Sequence, residues 1–408
     1  MVFKCQDNSF LKEFTSTVIA CNKINAEEVI EDKNQSYGVI LEDTILFPEG
    51  GGQPCDYGFL NDIPVRKVLR REDQAIHYVS NPIEIGTTVK QTIDWERRFD
   101  HMQQHSGQHL LSAVLEQHFN APTVSWWLGE ESSYVELDTH SLSSDVIKQA
   151  ENMVNELIRE GRKVSVTIYP KNTPENILNE VRSVKGLPED HKGDIRVINI
   201  DGIDSNMCCG THVNNLSQLQ MLKLLHTEKS KRKDKVLLHF LCGNRVLKRL
   251  ETCIDREKQL TVLLNNHPAQ HCDLVEKLQK NVKLLNKNLQ SALKELALSD
   301  AQKLKNSQPL PKYFCLHRKD AEIDFMNTFI RELGPTDVFL FLSVGDEKKD
   351  GNIMLYGKEE TIAELGTKVC DLLEGKGAGK GNTFRAKVSK MAKRKDVEKL
   401  IIEYFNNH

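Results

Sequence analysis

The sequence predicts a multidomain α+β protein: an N-terminal β-barrel, an α+β domain, a helical hairpin and a C-terminal α/β domain. Three observations carry that expectation. Apolar and polar residues alternate over residues 1–94, helical and strand patterns mix over 95–245, and an apolar heptad run precedes a last region of alternating strand and helix types. A length of 408 residues also exceeds what one core normally organises.

Within 1–94 the runs TSTVIAC, YGVILEDTILF, VRKVLRR and QAIHYV are separated by Gly, Pro, Asn and Asp clusters, which predicts short strands closing into a barrel. In 95–245, HMQQHSGQHLLSAVLEQHF has helical spacing, and SSYVELDT, VSVTIY, DIRVINI and VLLHFLCG read as strands. Residues 246–306 are helical throughout, broken at NNHPAQH by Pro268. Val275, Leu278, Val282, Leu285, Leu289, Ala292 and Leu296 keep 3,4 spacing, which suits a hairpin or a homodimer seam as well as one long helix packed on a neighbour in the chain. After the linker QPLPKY, residues 307–408 alternate strand and helix patterns as a separate α/β domain.

Hydrophobic residues make up 39% and charged residues 28%, with mean hydropathy −0.46, values of a folded polar-surfaced protein rather than a disordered one. No apolar run is long enough for a membrane-spanning helix, and MVFKCQDNSFLKEF is no secretory leader, so a cytoplasmic location is expected. Ten cysteines are too sparse for a disulfide scaffold and are expected as thiols or metal ligands. The net charge of −3 hides two basic stretches, KSKRKDK at Lys229–Lys235 and nine Lys/Arg against two acids from Lys376 to Lys399, footprints that a polyanion could use.

His105 and His109 are four apart in a helical pattern, so both imidazoles leave one helix face, and His101 extends the stripe toward a polar cavity or water. Cys208 and His212, in CCGTHV, are again four apart beyond a strand and turn. Together they form the Cys/His₃ donor set that zinc prefers, one ion per chain. The neighbouring Cys209 competes for the ligand role, but only Cys208 keeps the i, i+4 spacing to His212.

The halves HSGQH and CCGTH, about a hundred residues apart, resemble the editing domain of alanyl-tRNA synthetase and the free-standing AlaX deacylases, with the threonyl-tRNA synthetase domain a cousin. FPEGGGQPCDYG, Phe47–Gly58, is similar to that family's glycine-rich motif, and HMQQHSGQHLLS with DSNMCCGTHV looks closest to the long AlaX proteins, known as alanyl-tRNA editing proteins. GKGAGKGNTFRA resembles the C-terminal domain shared with DHH-type phosphoesterases, the DHHA1-like tRNA-binding domain. The resemblance implies a second-additional-type editing domain over 95–245 and hydrolysis of seryl-tRNA(Ala), with glycyl-tRNA(Ala) a further candidate. With no class II ATP-binding module ahead of the barrel, that action would be in trans.

A pocket for alanine rejects serine poorly, because serine only adds a hydroxyl; a second site that hydrogen-bonds this hydroxyl can reject alanine by about 10⁴-fold or more. Thr44, just ahead of the glycine motif, is the candidate for that contact. Gly51 and Gly52 can bring bare N–H groups to the ester or ribose, and Gln53 could hold the carbonyl or a water. Gln104 and His101 are candidates to orient a ligand imidazole. Four protein ligands close a zinc shell, so the metal is expected mainly to organise the pocket, with the attacking water held by protein or by a ribose hydroxyl. Lys376, Lys380, Arg385, Lys387 and Lys390 are expected along tRNA phosphates, with Gly375, Gly377 and Gly379 allowing close approach; the plain alternative is a solvated helix face. Two other functions stay open: editing of another pair such as seryl-tRNA(Thr), and a non-catalytic tRNA-binding protein with structural zinc.

Overall fold

The computed structural model describes residues 2–24, 36–174, 181–182 and 193–407. The four segments expected from sequence fall into two compact units, Met1–Gln259 and Leu260–His408.

The first unit opens with a one-turn helix α1 (Lys4–Asp7) and strands β1 (Glu13–Lys23), β2 (Tyr37–Leu41), β3 (Gly58–Leu60), β4 (Ile63–Val65), β5 (Lys67–Arg71), β6 (Gln74–Val79) and β7 (Thr88–Ile93). They form one antiparallel sheet in the order β4-β3-β7-β1-β2-β6-β5. Its two edge strands are consecutive in the chain, joined by Arg66 alone, so the sheet curls nearly closed around Val18, Val39, Leu60, Val65, Val68 and Val89. The expected barrel is thus a near-closed sheet whose ends are linked by the chain rather than by a ladder.

Helix α2 (Trp95–Phe119) follows, capped by the Asp94 side chain on the Arg97 N–H at 3.1 Å and ended by Asn120 in the left-handed region. It is buried from His101 through Leu115. Leu110, Leu111, Val114 and Leu115 pack against the sheet β13-β14-β9-β8, built from β8 (Thr123–Leu128), β9 (Ser133–Leu137), β13 (Leu222–Lys229) and β14 (Val236–Cys242). A Cβ at Gly107 would lie 2.9 Å from the Cys242 sulfur, so the glycine in HSGQH is what lets α2 approach β14. Helix α3 (Ser144–Glu160) adds Ala150, Val154 and Ile158 to the same core. Strands β10 (Val164–Tyr169), β11 (Ile195–Ile200) and β12 (Asp204–Met207) form a smaller antiparallel sheet.

The division between units falls inside α4 (Asn244–Leu264), which buries no residue. Helix α5 (His271–Lys305) exposes Val275, Leu278, Val282, Leu285 and Leu289, so the heptad stripe is not packed on a neighbouring helix of the chain. Apart from His271 at its start, α5 is buried only in its last turns: Ala297, Ala301 and Leu304 meet Phe325 and Phe329 of α6 (Ile323–Leu333). The end of the helical segment therefore belongs to the C-terminal core. The remaining elements are β15 (Tyr313–Arg318), β16 (Phe339–Val344), β17 (Gly351–Tyr356), α7 (Glu359–Leu372), β18 (Gly375–Lys380), β19 (Thr383–Val388) and α8 (Arg394–Asn407). Strand β16 reads FLFLSV because both its faces are covered: Phe339 and Phe341 face α7 and α8, and Leu340 and Leu342 face α5 and α6.

Candidate metal centre

His105 and His109 leave α2 one turn apart, their rings 5.1 Å apart and nearly parallel. The loop after β12 brings Cys208 Sγ to 3.3 Å from His105 Nε2 and 3.2 Å from His212 Nε2. One ligand atom from each of His105, His109, Cys208 and His212 lies within 4.8 Å of all the others. Tetrahedral zinc with ordinary Zn–N and Zn–S bonds needs nitrogen and sulfur roughly 3.5 Å apart, close to the spacing found. Both ring nitrogens of His109 are buried with no hydrogen-bond partner among the described residues, a state that a buried imidazole rarely keeps unless an ion takes one of them. Burial, reinforced by neighbouring histidines and by Arg196, pushes the pKa of His109 and His212 well below the ordinary value, so both imidazoles are neutral and able to donate to a metal. The residues fit zinc. The histidine stripe faces the interior rather than water because the chain folds the second half of the ligand set over it.

The outer atoms of the ligands are held as well. Gln53 Oε1 lies 2.8 Å from His105 Nδ1, and Ser106 Oγ lies 3.2 Å from His212 Nδ1, which leaves each Nε2 directed at Cys208. Gln53 also accepts from the Thr211 N–H and donates to its hydroxyl, so the side chain expected to hold a carbonyl or water is spent on orienting the centre. Gly50 and Gln53 exchange backbone hydrogen bonds around Gly51 and Gly52, which have φ of +59° and +85°, a two-residue turn that excludes Cβ-bearing residues. A Cβ on Gly51 would lie 2.8 Å from the Cys209 sulfur, and one on Gly52 2.7 Å from the Trp126 ring. Trp126 in turn packs on His105, so the glycine turn sits against the centre with its own residues exposed. A Cβ on Gly210 would come within 2.2 Å of His105, which explains the glycine after the cysteines.

Two family models match parts of the chain. One is described as "Threonyl and Alanyl tRNA synthetase second additional domain" and matches residues 195–237, which include Cys208 and His212. The other, "tRNA synthetases class II (A)", matches residues 4–97, the near-closed sheet with its glycine turn. The chain is 46% identical over 408 residues to the alanyl-tRNA editing protein Aarsd1 of Mus musculus, covering 99% of this chain and 98% of the relative. It is 44% identical to Aarsd1-B of Xenopus laevis, covering 98% and 97%, and 30% identical to the putative alanyl-tRNA editing protein alaX of Saccharomyces cerevisiae, covering 95% and 93%. The chain belongs to the alanyl-tRNA editing protein family.

Other residues expected at the site of this editing-family protein are placed differently. Thr44 is 1% exposed and its hydroxyl is bonded to His77 Nε2 at 2.8 Å, Gln91 Oε1 at 2.9 Å and the Leu46 N–H at 3.0 Å. It is a node inside the β-sheet domain, and to touch a substrate hydroxyl it would have to give up one of these partners. Gln104 pairs with the Cys242 backbone through both amide ends, and so fastens α2 to β14 instead of orienting a ligand imidazole. His101 is buried, and desolvation lowers its pKa to about 4.

Sequence reading missed the arginines that hold this editing-family centre together. Arg196, inside the apolar strand IRVINI, donates to the carbonyls of Cys208 and Gly210 and to that of Gln6, which clamps the ligand loop. A lone arginine in such a strand was the available signal. Arg98 and Asp56, both fully buried, form an ion pair between α2 and the glycine motif, and Asp56 also accepts from the Phe47 N–H.

In the C-terminal unit the β18–β19 register sets Lys376 opposite Lys387 and Ala378 opposite Arg385, so Lys376, Lys380, Arg385 and Lys387 share the exposed face of a strand hairpin, not of a helix. Lys390 lies beyond it, paired with Glu374. The glycines of this hairpin have a packing reason: a Cβ on Gly377 would meet Ala386, and one on Gly375 would meet Val388.

Proposed function

We propose that this protein is a zinc-containing aminoacyl-tRNA deacylase that edits in trans, hydrolysing the ester of seryl-tRNA(Ala), with glycyl-tRNA(Ala) as a second substrate. The observation that carries this reading is the packing of the Gly51–Gly52 turn, through Gln53 and Trp126, onto the Cys/His₃ cluster. Relatives named as alanyl-tRNA editing proteins match nearly the whole chain. Zinc bound by His105, His109, Cys208 and His212 would supply a fixed positive point for the substrate's amine, hydroxyl or ester carbonyl.

The protein's own groups do the remaining work. The backbone N–H groups of Gly51 and Gly52 are placed to donate to the developing oxyanion or the terminal ribose. Gln53 and Ser106 fix the imidazoles, and Trp126 closes one wall of the centre. Thr44 positions the strand leading into the glycine motif through its hydroxyl network. The attacking water is held by protein groups or by the neighbouring ribose hydroxyl. Lys376, Lys380, Arg385, Lys387 and Lys390 follow tRNA phosphates. No described helix is long and apolar enough to cross a membrane, and editing of charged tRNA suits a cytoplasmic protein. The exposed heptad stripe of α5 is flanked by amides such as Asn281, Asn286 and Asn288, which put no like charges across a seam and support a homodimer there.

Hydrolysis of seryl-tRNA(Ala) against alanyl-tRNA(Ala), before and after zinc removal, tests the reading. Rapid release of serine with alanine spared is expected. Faster hydrolysis of seryl-tRNA(Thr) would move the specificity to the threonyl system. Loss of neither ester, with tRNA still bound, would leave a binding protein with a structural metal.

A further inference from the structure

Far along the same fold, a β-bulge assembles a second set of metal donors. Strand β13 pairs with β14 in register at Leu224↔Phe240 and again at Thr227↔Leu238, so two residues, Leu225 and His226, oppose the single residue His239. The extra residue turns His226 and Glu228 onto the face that carries His239. The His226 and His239 rings stack 4.6 Å apart at 9°, and Glu228 reaches both, with Oε1 3.1 Å from His226 Nε2 and Oε2 3.7 Å from His239 Nε2. The three donor atoms lie within 4.8 Å of one another.

A hydrogen-bonded surface cluster would leave no donor unused. Here His239 Nε2 is shielded from solvent and, among the described residues, has no hydrogen-bond partner, Glu228 standing off at 3.7 Å, while its Nδ1 meets the Ser132 hydroxyl at 3.5 Å. The Tyr134 ring, 5.5 Å away on β9, packs beside it and holds its plane. We infer that His226, Glu228 and His239 form a second metal site that takes one divalent transition ion of the zinc, nickel or copper class. Two imidazoles and one carboxylate suit those ions rather than magnesium or calcium. In the free state His226 Nε2–H donates to Glu228, so binding takes the tautomer with the proton on Nδ1, which frees Nε2 for the ion. Three protein ligands leave the remaining positions to water, unlike the four-ligand centre on α2. The ion would tie β13 to β14 beside the basic turn Lys229–Lys235.

The test is zinc content of tag-free, full-length protein after equilibrium dialysis against low-micromolar zinc. Two ions per chain are expected for the native protein and one for His226→Ala and for His239→Ala, with two retained in His140→Ala, a control at another exposed histidine. Cobalt offers a second readout: the ion lost in His226→Ala should carry no thiolate charge-transfer absorption, whereas the ion at Cys208 should. His226 is exposed, so its removal leaves the fold intact. One ion in the native protein, or two that survive both substitutions, overturns the assignment. Cys208→Ala keeps this second ion even if the deacylase reading fails, so the two failures are distinguishable.

Discussion

The centre on α2 and the basic hairpin β18–β19 are both built from motif residues, yet they are held in opposite ways. The three histidines of the cluster are buried and Cys208 is half-buried, and His105 and His212 also have a fixed partner on the far side of the ring. The hairpin's cations are exposed, and several are shared with acids: Lys387 lies 3.5 Å from Asp350, and Lys390 pairs with Glu374. A buried site therefore concentrates its energy in a few irreplaceable groups, while an exposed one spreads it over many interchangeable charges.

The sharpest break should come from the ligands. Cys208→Ala should abolish zinc binding at this centre and lower deacylation by 100-fold or more, on the order of the loss expected when a metal ligand goes. Cys209→Ala should keep the metal, since its sulfur lies outside the ligand cluster. Metal content and single-turnover hydrolysis of each variant decide this; equal retention in both would refute the ligand assignment.

Next is the frame. Arg98→Met leaves Asp56 charged and buried without its partner, and should cost about 3–5 kcal/mol in chemical denaturation. A loss below about 1 kcal/mol, the usual worth of an exposed pair, would place this contact with the surface charges instead.

Acid should act on the N-terminal sheet that carries the glycine turn. Burial holds the His77 pKa down at about 4 from an ordinary 6.5, so in that window the unfolded chain binds more protons than the folded one. Stability should be full above pH 6.5 and fall as pH drops toward 4, by roughly 1.4 kcal/mol per unit from this group alone. Denaturation of His77→Gln across that range should show a shallower slope; an unchanged slope would remove His77 from the account.

The smallest effects belong to the hairpin. Lys376→Ala, Arg385→Ala and Lys387→Ala should each weaken tRNA binding modestly and lower the slope of log affinity against log salt by about 1. Slopes that stay at the native value in all three would show that phosphates pass elsewhere.

The clustering of His105, His109, Cys208 and His212 was legible because i, i+4 spacing survives any tertiary detail, and the strands were legible because alternation is local. What stayed hidden needs the fold. Gln53 and Gln104 are both amides near the motif, but only register decides that one meets His105 and the other the Cys242 backbone. Thr44 looked like a substrate contact because its sequence position is next to the loop, while its actual neighbours, His77 and Gln91, come from strands far along the chain. Gly375 and Gly377 suggested phosphate approach, yet pack on β19 because a strand pair can be crowded in ways spacing does not record. The buried end of α5 was missed because Ala297 and Ala301 lie off the heptad stripe, which ends at Leu296, and small alanines announce no partner.

The link from Gln53 to His105 and Thr211 joins three segments 52 and 158 residues apart in the chain. On the ribosome the β-sheet domain emerges first and carries the glycine turn with it, but the groups that seat that turn are not yet synthesised. A nascent chain stopped before His212 thus holds a folded platform and no site. The cluster is therefore completed only late in synthesis, once Cys208 and His212 have left the ribosome.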